Sequence, residues 1–194
     1  MTEHRGEYSE LYDILGYEFK DSSLLREALT HPSLEGAPNY QRMEFVGDRV
    51  LGLAIAAWMY ELYPGIDEGG LASRHTNLVR REACTTVGND IGLGRFIHMA
   101  KSSEDTGGRN RDTILSDTCE AVIGAIYLDS GYRAAEKFIR SKWIDQANNV
   151  KGDRNRLRQI KRNANRTTDF QAQGARNEVI ITTCFNRHAG GNGG

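Results

Sequence analysis

Two stretches of the chain are apolar on more than one helical face, and they dominate its pattern. From Tyr40 to Leu62, the residues Met43, Val46, Val50, Leu51, Leu53, Ala54, Ile55, Ala57, Trp58 and Leu62 keep an apolar stripe running until Pro64. That spacing predicts a long helix which the proline ends. From Asp112 to Leu128, the residues Ile114, Leu115, Cys119, Ala121, Val122, Ile123, Ala125, Ile126 and Leu128 leave almost no polar side. A helix of that kind is expected to be central and buried. Asp21 and Ser22 are N-cap candidates for a shorter helix ending near Thr30, because Pro32 disfavours a helical conformation at His31. Further helices are predicted over Leu71 to Val79, Arg81 to Asp90 and Tyr132 to Gln146, with a loop over the Ser-, Gly- and charge-rich stretch Ser102 to Arg111. No alternating β-branched run occurs before Val179 to Phe185, so the body reads as all-α, and there is no internal repeat.

Composition narrows the setting. A chain of 194 residues has room for one well-buried domain with something smaller appended. No apolar run approaches the roughly 20 residues that a bilayer-crossing helix needs. Met1 to Gly16 is charged and polar and lacks a signal-peptide core, so the expectation is a cytoplasmic protein with no membrane partner. Three widely spaced cysteines, Cys84, Cys119 and Cys184, fit neither a disulfide framework nor a C-x-x-C motif and are read as reduced and structural.

The net charge of −1 conceals an uneven distribution. Residues 1–150 carry 16 Lys and Arg against 23 Asp and Glu, while residues 151–194 carry 9 against 3. An acidic body does not bind phosphate backbones by average charge, so any nucleic-acid role must come from local arrangement or bound cations. The composition beyond Val150, rich in Arg, Asn, Gln and Gly and ending Ala-Gly-Gly-Asn-Gly-Gly, suggests a division into a 1–150 body and a basic 151–194 tail.

The chemistry is carried by acids where acids are expensive. Glu44 and Asp48 are four apart, and Asp117 and Glu120 three apart, so each pair shares one face of one of the two most apolar helices. Burying one ionised carboxylate without compensation costs several kcal/mol, and converging like charges add to that. Two solutions are open at this point. Arg42, Arg49 and Arg111 are near in sequence and would make a structural salt-bridge network. Alternatively, hard carboxylate oxygens without neighbouring His or Cys ligands suit Mg²⁺ or Mn²⁺, which keep waters, bind phosphates and activate water for in-line attack on phosphorus. There is no P-loop, no Rossmann glycine pattern and no Ser-His-Asp order in competition.

The segment Asn39-Tyr40-Gln41-Arg42-Met43-Glu44-Phe45-Val46-Gly47-Asp48-Arg49-Val50-Leu51 resembles the ribonuclease III signature. Thr30-His31-Pro32-Ser33, Leu78 to Glu82 and the block Gly107 to Asp129 match the same family in order and spacing, over residues 8 to 145. The resemblance implies an endonuclease that cuts double-stranded RNA, as in rRNA and mRNA processing, leaving 5′-phosphate and 3′-hydroxyl ends with short 3′ overhangs. It implies a homodimer with a catalytic valley between subunits and Phe45 packing into the partner. It makes Glu44, Asp48, Asp117 and Glu120 the catalytic carboxylates, with Glu44, Asp117 and Glu120 as ligands of Mg²⁺, for which Mn²⁺ would substitute. Among these, Glu44 and Glu120 are the direct ligands in first place. Glu68 matches a further acidic position near substrate or metal, although Asp67-Glu68-Gly69-Gly70 also reads as a solvated turn. Arg109 and Arg111 are expected to contact substrate. His31, His75 and His98 are read as packing residues.

The chain departs from the family in two places. Gln41 stands where many members carry another Glu, which removes one charge beside the cluster and leaves its four acids untouched. Family members usually append a double-stranded RNA-binding domain of about 70 residues, and only 44 follow Val150 here. Leu157-Arg158-Gln159 faintly resembles the start of that domain's first helix, and Val179 to Phe185 would make one strand. The tail's Lys151, Arg154, Arg156, Arg158, Lys161, Arg162 and Arg166 either grip phosphates without sequence preference or are simply solvated.

Overall fold

The structure, a computed structural model, describes residues 5–149. The chain divides into two units, Met1–Lys151 and Gly152–Gly194, and every described residue belongs to the first. The readings made above for the tail, Cys184 included, lie outside the described residues. Within those residues regular structure is helical, apart from one isolated parallel bridge between Thr30 and His98. The all-α expectation holds. No described helix is long and apolar enough to cross a membrane.

The chain opens with α1 (Arg5–Leu15), which the reading of the sequence above did not anticipate. Its signal is present nonetheless: Tyr8, Leu11, Tyr12 and Leu15 fall at i, i+3, i+4 and i+7 and are all buried. Helix α2 (Ser22–Ala28) starts where Asp21 was expected to cap it, with Asp21 Oδ1 accepting from the Ser23 amide at 2.9 Å. The long α3 (Gln41–Leu62) follows. Helix α4 (Glu68–Val79) begins three residues before the expected Leu71, because the Asp67 carboxylate accepts from the Gly70 amide at 2.9 Å and starts the helix despite its two glycines. Asp67, Glu68 and Gly69 are exposed, as a solvated turn would be, and the segment is also the capped first turn of α4.

Helix α5 (Arg81–Asp90) leads into a 3₁₀ turn, Leu93–Phe96. The stretch read as a loop holds α6 (Lys101–Asp105) and a 3₁₀ turn at Gly108–Asn110. Helix α7 (Asp112–Ser130) ends at Gly131, whose φ of 77° suits a residue without a side chain. The expected helix over 132–146 is two helices, α8 (Tyr132–Lys142) and α9 (Ile144–Asn149), broken at Trp143. Trp143 is fully buried and its indole N–H donates to the Leu78 carbonyl at 2.8 Å, so placing that ring sets the break.

Helix α7 is the axis of the fold, packed by α2, α3, α5 and α8. Leu115, Cys119, Val122, Ile123 and Ile126 of α7 are buried, as are Leu51, Ile55 and Met59 of α3. Asp129 near the end of α7 accepts from Tyr17 Oη at 2.5 Å and from the Lys20 and Asp21 amides at 3.1 and 3.0 Å. That carboxylate straps the start of α2 to the central helix.

Candidate active site

The site is made by the closest helix crossing in the molecule's core. A Cβ at Gly47 would overlap the carbonyl of Glu120, and one at Gly124 would overlap the carbonyl of Met43 and lie 3.2 Å from the Gly47 amide nitrogen. Helices α3 and α7 therefore touch backbone to backbone, which small residues alone permit. Glu44 and Asp48 flank Gly47 on α3, while Glu120 precedes Gly124 by one turn on α7 with Asp117 a further turn back. The crossing thereby draws all four sequence-predicted acids into one electrostatic neighbourhood: Glu120 feels Asp48, Asp117 and Glu44, and Glu44 feels Asp117 and Asp48.

Their protonation follows from that placement. Burial, reinforced by the other three acids against a thiol hydrogen bond from Cys84, pushes the Glu120 carboxyl up to about 7. Glu44 is raised by burial and then by Asp117 and Asp48, with Arg49 opposing. Asp117 is raised by burial, against the fields of Arg81 and His31. Ser116 Oγ lies 3.4 Å from Glu120 Oε1, a long hydrogen bond within α7.

The arginine network proposed as a structural alternative is not closed. Arg49 pairs with Asp48 at 2.7 Å, with both side chains about half exposed (59% and 46%), and stacks its guanidinium 4.0 Å over the Phe45 ring. Among the described residues no ion pair reaches Glu44, Asp117 or Glu120. Arg42 makes no ion pair there either. Arg111 is exposed and its Nη2 donates to the Thr106 carbonyl at 3.4 Å.

As the side chains stand, no three of the described His, Cys, Asp or Glu residues are arranged to hold a metal ion. Asp48 is turned toward Arg49. The donor set nevertheless fits a hard divalent cation. Three carboxylates crowd one crossing and stay raised against the fields of Arg49, Arg81 and His31, so their ionised forms are left with an excess of negative charge.

The other sequence-predicted residues stand apart from this cluster. Phe45 is 61% exposed. Glu68 is exposed at the first position of α4. Arg109 is tied into the protein by Nε, which donates to Glu104 at 2.7 Å, and by Nη1, which donates to the carbonyls of Gly94 and Ile97 at 3.1 and 2.6 Å. It is a strut for the 94–109 loops. Sequence reasoning missed Arg81, Ser116 and Cys84 beside the acids, and it set His31 aside as packing. Arg81 lies within the quoted segment Leu78 to Glu82, and Ser116 precedes Glu120 by one turn, so both carried a signal.

With this geometry in view, the relatives are informative. The Ribonuclease-III-like family model matches residues 21–147. The chain is 45% identical over 129 residues to Ribonuclease 3 of Zymomonas mobilis, covering 66% of this chain and 52% of that one. It is 41% identical over 143 residues to Ribonuclease 3 of Anaplasma marginale, covering 73% and 62%. It thus spans about half to three-fifths of the length of these curated relatives. Among solved structures, the nuclease domain of ribonuclease III from Campylobacter jejuni, described with flexibility in a region involved in dimer formation, superposes with a TM-score of 0.67. The two are 36% identical, over 71% of this chain and 99% of that one. A Dicer from Pichia stipitis, 23% identical over 67% of this chain and 57% of that one, shares the fold alone, with a TM-score of 0.52. With two helices crossing at glycines beneath four acids, and so matched over residues 21–147, the chain belongs to the ribonuclease III family.

Proposed function

We propose that the chain hydrolyses phosphodiester bonds of double-stranded RNA, with Glu44, Asp48, Asp117 and Glu120 as its catalytic carboxylates. The single observation that carries this reading is the under-neutralised acid cluster at the Gly47–Gly124 crossing. A fold bears that electrostatic cost when a ligand relieves it, and phosphates bridged by a divalent cation are such a ligand.

Glu44, Asp117 and Glu120 would hold Mg²⁺, or Mn²⁺ in its place, while Asp48 orients the site from its pair with Arg49. The ion, when bound, supplies an activated water and charge stabilisation at phosphorus. The protein's own part is to hold three carboxylates on two helices that cannot slide, because their backbones are in contact. Glu120 has to give up its proton to serve as a ligand, which couples metal binding to pH near neutrality. Exposed Arg111 would contact phosphate, exposed Glu68 would act near substrate or metal, and Arg109, bonded to the Ile97 carbonyl, would serve the substrate side beside Arg111.

A homodimer is the form in which this works. Phe45, Leu53 and Tyr60 lie along one face of α3 and are 61%, 60% and 73% exposed. Large apolar side chains in line on one helix mark an interface, and a two-fold pair presents one site to each strand of a duplex. Recognition would follow A-form shape and 2′-hydroxyls with little base preference, since the RNA major groove is too narrow to read. Products with 5′-phosphates, 3′-hydroxyls and short 3′ overhangs, a role in rRNA and mRNA maturation and a cytoplasmic site of action complete the proposal. The division into a catalytic 1–150 domain and a basic 151–194 tail belongs to it as well.

The test is to incubate the chain and Mg²⁺ with a long labelled RNA duplex and with each strand alone. Cutting of the duplex into short two-stranded pieces, with the single strands spared, is the expected result. Binding of duplex without any cutting would instead favour a structured-RNA-binding protein of the same fold.

A further inference from the structure

We propose that Arg49 is a positioning residue that ties the outward-facing Phe45 ring to the Asp48 carboxylate, so that covering Phe45 at a subunit interface steadies the acid cluster. The inference rests on the nuclease and homodimer readings above.

Three contacts meet in one guanidinium. Arg49 Nη1 donates to Asp48 Oδ2 at 2.7 Å and to the Phe45 carbonyl at 3.3 Å, and the guanidinium carbon lies 4.0 Å from the centroid of the Phe45 ring. The pair with Asp48 is not what a helix offers by default. Side chains one residue apart point about 100° away from each other, whereas those four apart are neighbours. Arg49 reaches back one turn toward Phe45, as long helical side chains do, and the ring and carbonyl found there hold it where Asp48 can be met.

The two ends of this contact belong to different surfaces. Phe45 is 61% exposed, on the face of α3 that carries Leu53 and Tyr60. Asp48 follows Gly47, whose backbone meets that of Glu120 at the crossing. Among the described residues Arg49 is the one ion-pair partner of Asp48. As the chain stands, the grip is loose. The Arg49 and Asp48 side chains are about half exposed, and an ion pair and a cation–π stack in water are each weak. Both strengthen when water is removed. A partner surface seated on Phe45 dries the ring and the guanidinium stacked on it, so assembly firms the hold on Asp48 without any movement of the backbone.

Two substitutions test the connection. Arg49→Lys keeps the charge, and with it the field on the metal site, but loses the planar fork that stacks on a ring while it grips a carboxylate. Phe45→Leu keeps apolar bulk and loses the ring face. Partners held behind a metal site contribute about 10- to 100-fold in affinity or activity. At saturating Mg²⁺, and at protein concentrations where sedimentation shows each variant dimeric, either substitution should lower kcat on duplex RNA about tenfold with KM unchanged. The double variant should lose no more than Arg49→Lys alone, because the ring acts through the arginine. Losses that multiply in the double variant, or an Arg49→Lys chain as fast as the native one, would overturn the proposal. So would a raised KM with kcat intact, which would make Arg49 a phosphate contact instead.

A second measurement needs neither metal nor turnover. In nitrogen-15 NMR of the metal-free native chain, the Arg49 guanidinium should show hindered rotation in the dimer and free rotation after dilution to the monomer. The same rotation in both states would overturn the proposal, and a native chain that is monomeric at every concentration would overturn it together with the dimer reading. A chain whose Arg49 signals respond to assembly in this way and which yet cuts no duplex would overturn the nuclease reading, leaving the Phe45–Arg49–Asp48 connection in place.

Discussion

Gly47 of α3 and Gly124 of α7 lie backbone against backbone, so that a methyl group on Gly124 would sit 3.2 Å from the Gly47 amide nitrogen and overlap the Met43 carbonyl. Neither obstacle is a side chain that can swing away. Gly47→Ala should therefore open the crossing and cost about 3 kcal/mol or more, at the upper end of overpacking penalties. Gly52→Ala is the control, because its methyl would meet nothing nearer than His75 Nε2 at 3.8 Å. It should be neutral or stabilising by up to about 1 kcal/mol through helix propensity. Urea denaturation of the two variants checks the contrast.

The acids predict an unusual dependence of stability on pH. Glu44, Asp117 and Glu120 are all raised by burial, so the folded chain retains protons that the unfolded chain has released. Stability without divalent ions should therefore rise as pH falls from about 8 toward 5.5, and fall on the way back. His31, lowered by burial, pulls the other way below the ordinary imidazole value of 6.5, one group against three. Thermal melts in chelator should show a gain of a few degrees over that window. A flat profile would mean that the acids are already neutralised.

Magnesium should reverse that trend. Ligation needs the ionised forms, so the ion's apparent affinity should weaken by about tenfold per pH unit for each proton displaced, below the Glu120 value of about 7. Melting temperatures with Mg²⁺ should accordingly exceed those in chelator at pH 8 and converge with them near pH 5.5. Calorimetric titrations at two pH values measure the same coupling directly.

The apolar face of α3 gives a prediction of assembly. Phe45 and Leu53 are 61% and 60% exposed, even with the Arg49 guanidinium stacked on one face of the Phe45 ring. Phe45→Asp with Leu53→Lys should yield a monomer of 21.7 kDa, where the native chain sediments at twice that mass. A native chain that is itself monomeric at high concentration would remove the dimer from the account.

Much of this was legible in the residues. The two helices bearing the acids were set by apolar runs long enough to exclude other periods, and Asp21 marked the start of α2 by its capping chemistry. Helix α1 went unread because its four buried residues, two of them tyrosines, are diluted among charges. The break at Trp143 was hidden for a different reason. It is imposed by a hydrogen bond to Leu78, 65 residues away, and no local pattern encodes it. At the site, the spacing of acids announced a cluster but not its closure. That depends on Gly47 and Gly124 meeting across the core, and a glycine in a helix reads equally as a weak point or a contact. Arg109's bonds to Glu104 and to the carbonyls of Gly94 and Ile97 are likewise tertiary, and its motif did not announce them.

The most direct test of the central claim compares the native chain with Glu120→Gln on a long RNA duplex, each with Mg²⁺ and with chelator. The substitution keeps the side chain's shape and removes the charge held at the crossing, so the variant should fold, melt no lower than the native chain without metal, and fail to cut. Magnesium-dependent cleavage by the native chain alone is the predicted result. Equal cleavage by the variant, or cleavage by the native chain in chelator, would contradict the account.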